Sequence, residues 1–214
     1  MRPLAILFAV LMSGIVHASD FVEIDAFRFD RRAVGDAEWP AAERSLRRQV
    51  AIVTSSGVPA GVLAFFRTVP IVLEPGQNVR GGWYSNGRVL LPSAPIPEDR
   101  PVLLHELLHA YHYMVLGDES AQIRNAHAAA LKSPLAQMYP GAHFLENPGE
   151  YFAVIGSIYL FGQIRQPPFT CTAIAGQQPE FLALLAQRFG PHKCAAAVSA
   201  PDEKAPRKRR VARP

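Results

Sequence analysis

Apolar positions along the chain mark out its elements. Trp39, Ala42, Leu46, Val50 and Val53 recur at spacings of three and four with Arg and Glu between them, which predicts an amphipathic helix. Pro40 is tolerated in its first turn, and Ser55-Ser56-Gly57 ends it. A shorter helix is expected over residues 59–66. Residues 21–29 alternate as a short strand, and residues 69–73 read as a buried strand before a Pro75-Gly76 turn. Trp83-Tyr84 and Val89-Leu90-Leu91 flank Ser85-Asn86-Gly87, which is hairpin chemistry. Leu103, Leu104, Leu107, Leu108, Tyr111 and Met114 then form a wide apolar stripe. The helix that carries it has Asp99 as N-cap, Pro101 in its first turn and an end near Gly117. An Ala-rich helix is predicted over 120–132, a loop over 135–146, a helix capped by Asn147 and running to about Phe161, and a last helix over 179–189. Helices dominate and the few strands fall in the first half, so the predicted class is α+β.

A chain of 214 residues suits one domain with a sizeable core. Residues 1–18 are set aside from it. Arg2 precedes an apolar run from Leu4 to Val16 that is shorter than the ~20 residues of a spanning helix, and Val16-His17-Ala18 fits a signal-peptidase site. The expectation is a cleaved export signal, a folded domain over 19–194 and a disordered basic tail over 195–214. From Asp202 onward six basic residues face two acidic ones, which accounts for the whole net charge of +4. The folded part therefore carries no basic field, and neither a nucleic-acid partner nor stable membrane insertion after signal cleavage is expected. In a periplasmic or secreted protein Cys171 and Cys194, the two cysteines of the chain, are expected to form a disulfide.

His105-Glu106-Leu107-Leu108-His109 reads H-E-x-x-H on a predicted helix. Residues at i and i+4 lie one above the other, so two imidazoles can address one ion while Glu106, next to them, reaches a water. Zinc suits such a site, with three nitrogen or oxygen ligands and one open position. The alternative is a pair of structural histidines on an exported interaction module. His112 shares the helix face, but an unbroken helix cannot wrap three of its own side chains around a tetrahedral ion, so His112 is read as an outer-shell or surface residue. The third ligand is sought among Asp118, Glu119, Glu146 and Glu150. Glu150 stands out because its helix is apolar nearly all round, and a carboxylate on a buried helix must be paired or bind metal. Ala153, Gly156 and Ser157 line the side below it and permit close approach of the two helices. Asn147-x-x-Glu150 is also capping-box spacing, which would make Glu150 structural.

His105-Glu106-x-x-His109 followed by Asn147-x-x-Glu150-Tyr151-Phe152-Ala153 resembles the catalytic domain of anthrax lethal factor and its relatives, zinc peptidases of the Glu-zincin type. The resemblance spans roughly residues 58–161. It implies a zincin-like domain, a peptide or protein substrate, His105, His109 and Glu150 as zinc ligands, and Glu106 as the base. Those proteins carry a Tyr a few residues before the third ligand, where it can stabilise an oxyanion. Here His143 stands nearest that place and Tyr139 lies further back. Residues 88–91 could hold an extended peptide if they form an edge strand; otherwise they are an interior strand. The other functional reading is a zinc-binding, non-catalytic protein with a degenerate peptidase fold, against which an intact Glu106 argues.

Overall fold

The computed structural model describes residues 20–75, 81–117, 120–191 and Cys194. The signal-peptide and basic-tail expectations lie outside the described residues. The apolar run predicted as one strand is two, β1 (Phe21–Ile24) and β2 (Phe27–Asp30). They pair antiparallel around Asp25 and Ala26, whose φ values of 50° and 63° give the reversed turn that two-residue hairpins need. Helices α1 (Trp39–Thr54) and α2 (Ala60–Thr68) lead to β3 (Ile71–Glu74), which runs parallel to β2. The second hairpin joins β4 (Trp83–Ser85) to β5 (Arg88–Pro92) through Asn86 and Gly87, both at positive φ.

The five strands are ordered β1-β2-β3-β5-β4. Residues 88–91 are thus interior, between β3 and β4, and the edge strand is β4. The physical reason lies in their side chains. Val89, Leu90 and Leu91 are all buried, whereas Trp83 is exposed and Tyr84 only partly covered. A strand apolar on both faces belongs inside a sheet.

Helix α3 (Val102–Tyr111) is buried on nearly every side and packs against α1, β4, β5 and α6 (Pro148–Phe161). Its entry is not capped by Asp99. The cap comes from α1: the buried Gln49 accepts from the Leu103 amide at 3.1 Å and donates to the Arg100 carbonyl at 2.8 Å. Asp99 instead pairs with Arg165. At its other end α3 widens into a π-helical turn over His112–Leu116 before Gly117, where an unbroken α-helix was expected.

Helix α4 (Ala121–Ala130) matches the Ala-rich prediction. The region expected to be a loop holds the short α5 (Pro134–Met138) and a 3-10 turn over His143–Leu145 that packs against α6. These pieces are too short to show a period. Below Glu150, helices α3 and α6 approach closely: a Cβ placed on Gly156 would sit 3.1 Å from Leu108 Cδ1. Helices α7 (Cys171–Ala175) and α8 (Pro179–Phe189) close the domain, and the Cys171–Cys194 disulfide ties the start of α7 to the segment beyond α8. No helix among the described residues is long and apolar enough to cross a membrane.

Candidate metal centre and catalytic cleft

His105 and His109 stand one turn apart on α3, and Glu150 enters from the first turn of α6. His109 Nε2 lies 3.1 Å from His105 Nε2. Glu150 Oε2 lies 3.3 Å and 3.2 Å from those two nitrogens. Three donors on one small triangle are hard to satisfy with protons, since a proton serves one edge at a time. A single cation serves all three. With zinc–ligand bonds of ~2.0–2.1 Å, the edge of a tetrahedral ligand set is about 3.3 Å, so the donor set fits zinc in both chemistry and spacing. These three residues form the group among the described residues whose side chains could share an ion.

The two readings of Glu150 separate in space. Asn147 Oδ1 accepts from the Glu150 amide at 2.9 Å, so Asn147 caps α6. The Glu150 carboxylate turns the other way, toward the imidazoles, and is not spent on the Asn147 amide. Of the other acidic candidates, Glu146 is exposed and holds His143 Nδ1 at 2.9 Å, while Asp118 and Glu119 lie outside the described residues. His112 is fully buried, its ring tilted over Phe152 at 5.4 Å, so its place is the interior and not the surface. The π-helical turn carries Tyr113, whose ring stacks on both His109 (6.3 Å) and Tyr84 (5.7 Å). Sequence reasoning missed Tyr113; its position four residues after His109 was the available signal.

Glu106 is buried beside this cluster, 4 % exposed. Burial, and then the nearby Glu150 charge, push its carboxyl up to about 8, although the Tyr84 backbone N–H donates to it. Gly82 makes room for it: a Cβ there would lie 2.8 Å from Glu106 Cγ and 2.9 Å from the Leu90 carbonyl oxygen. That glycine, read from sequence only as a break in the chain, is a site of close approach.

His143 reaches the same place from the 3-10 turn. Its Nε2 lies 2.8 Å from Glu150 Oε2. The hydrogen bond to Glu150, helped by Glu146 and opposed by burial, raises its pKa to about 9. For Glu150, burial would raise the carboxyl, but hydrogen bonds from His105, His109 and His143 hold it far below the usual range. His105 is pushed down by burial against the pull of Glu150, which favours the neutral ring a metal requires. Tyr139 is placed elsewhere, its ring edge-on to Phe169 at 5.8 Å and outside the residues lining the cleft.

No family model matches the chain, and no curated protein does. Among solved structures it is similar to the Pro-Pro endopeptidase of Paenibacillus alvei, at 19% sequence identity and a TM-score of 0.46. That likeness covers 75% of this chain and 96% of the other.

Proposed function

We propose that the protein is an exported zinc-dependent hydrolase of the Glu-zincin type that cleaves peptide bonds. The observation that carries this reading is the convergence of His105, His109 and Glu150 on one point with a buried carboxylate, Glu106, beside it. The disulfide is in keeping with export to an oxidising compartment, periplasmic or extracellular. The sequence resemblance to the lethal-factor peptidases agrees with the ligand set.

Zinc held by these three residues would supply Lewis acidity for activating water and polarising a carbonyl. The protein's own groups do the rest. Glu106 takes the proton of the attacking water and returns it to the leaving amine. Its burial suits this work, because a carboxylate of raised pKa is an effective shuttle near neutral pH. His143, half-exposed at the cleft and held by Glu146 through Nδ1, turns its Nε2–H from Glu150 to the developing oxyanion. An extended substrate pairs with the free edge of β4. In the β4–β5 register Tyr84 stands opposite Val89, and the Tyr84 N–H already faces Glu106, so that edge looks onto the reacting groups.

The test is a peptide-library digest with purified protein, with and without chelator, beside elemental analysis. One zinc per chain and chelator-sensitive cleavage are expected. A protein that binds zinc stoichiometrically yet cuts nothing would instead support the non-catalytic reading.

A further inference from the structure

A cavity of about 280 Å³ opens beside His105, Glu106 and His143. Its volume suits one substrate side chain and is small for a cofactor. Away from the metal ligands its wall is built from Arg100, Pro101 and Val102 at the entry of α3, from Ser157 on α6, and from Ile164, Arg165 and Gln166 beyond α6.

Three features of this wall favour an anion. Ser157 is 1 % exposed, and its hydroxyl has no hydrogen-bond partner. A buried hydroxyl left unsatisfied costs free energy that a ligand can recover. Second, the cavity lies at the N-terminal end of α3, a ten-residue helix whose dipole adds positive potential there even though Gln49 takes the Leu103 amide. Such an end attracts negative charge. Third, two arginines line the space. Arg165 pairs with Asp99, whereas Arg100, partly buried, pairs with no carboxylate among the described residues. Glu106 also lines the cavity, but at its reacting end, about 6 Å of helix rise beyond Val102 at the entry of α3.

We propose that this cavity is the subsite for a carboxylate flanking the scissile bond, paired with Arg100 and hydrogen-bonded by Ser157. The inference rests on the zinc-peptidase reading and names its substrate class. The carboxylate is either an Asp or Glu side chain or the substrate's own C-terminus, since both present the same group to a guanidinium.

The experiment compares peptides that differ only next to the cut. One set carries Glu, Gln or Leu there with an amidated C-terminus; a second carries a neutral residue with the C-terminus as free acid or amide. With zinc-loaded protein, kcat/KM is expected to be roughly tenfold higher for the carboxylate member of one set than for its amide partner, as a charge-assisted hydrogen bond implies. The set that shows the preference identifies the source. The ratio falls toward one in Arg100→Gln and about threefold in Ser157→Ala. Equal rates within each set, or ratios untouched by both variants, overturn the proposal while leaving a zinc peptidase standing. If no peptide is cut, the peptidase reading falls. The subsite is then decided by calorimetric titration of the metal-free protein with the same peptides, where a tenfold preference sustains it and equal affinity ends it.

Discussion

Replacing Glu150 by Ala removes one of three donors from a triangle whose edges are 3.1–3.3 Å. The two imidazoles that remain sit on one helix and lack the carboxylate that would balance the charge of the ion. Outer-shell changes at metal sites cost ~10–100-fold in affinity, so loss of a ligand is expected to weaken zinc by at least about 100-fold. Asn147→Ala makes the contrast. It removes the acceptor of the Glu150 amide, a cap worth on the order of 1 kcal/mol, and leaves every donor of the triangle in place. Zinc at ~1,000 times the dissociation constant stabilises a folded protein by about 4 kcal/mol, and a hundredfold loss of affinity removes roughly 2.7 kcal/mol of that. For a domain of this size, at ~2–4 °C per kcal/mol, the zinc-induced rise in melting temperature should shrink by about 5–10 °C in Glu150→Ala. In Asn147→Ala both the metal-free and zinc-bound proteins should melt a few degrees lower, with the zinc-induced rise intact. The assay is differential scanning fluorimetry across a zinc titration, backed by competition with a chromogenic chelator. Equal zinc affinity in the two variants would refute the ligand assignment.

Glu106→Gln should retain zinc and lose turnover by several orders of magnitude, because it removes the proton carrier without touching a ligand; kcat with stoichiometric zinc checks this. In metal-free protein the Glu106 carboxyl, raised from an ordinary 4.5 to about 8, favours folding only while protonated. Its contribution is present at low pH and lost as pH rises through about 8, and the raised His143 is lost in the same direction, through about 9. Unfolding free energies from denaturant titrations in chelator should therefore fall by a few kcal/mol between pH 5 and pH 8.5, nearly all of it from the buried Glu106 because solvent screens the half-exposed His143, and should fall less steeply in Glu106→Gln. Gly82→Ala should reduce kcat more than tenfold, since the new methyl group meets Glu106 and the unyielding Leu90 carbonyl; full activity would mean that β4 can shift freely. Reducing the Cys171–Cys194 bond, which closes a separation of 23 residues, should cost roughly 3 kcal/mol, measured by urea denaturation with and without reductant.

The chain by itself determined what depends on local spacing. The i, i+4 pair of His105 and His109 needs only a helix, and the stripe of Leu103, Leu104, Leu107, Leu108 and Tyr111 supplies one. The buried character of α6 followed from its composition, and with it the need of Glu150 for a partner. Turn chemistry at Asn86-Gly87 placed the second hairpin correctly. Tertiary structure decided whatever depends on which segment lies beside which. The cap of α3 comes from Gln49, 54 residues away from the amide it accepts from, because packing on α1 outbids a local Asp99 that finds Arg165 instead. Strand order made β4 rather than β5 the edge, since pairing with β3 is a long-range choice governed by burial on two faces. The 3-10 turn that brings His143 to Glu150 is three residues long, too short to leave a period, and it is held in place by packing on α6. The direction in which the Glu150 carboxylate points could not be read from Asn147-x-x-Glu150, since that spacing serves a cap and a ligand alike; the approach of α3 beneath Gly156 decided it.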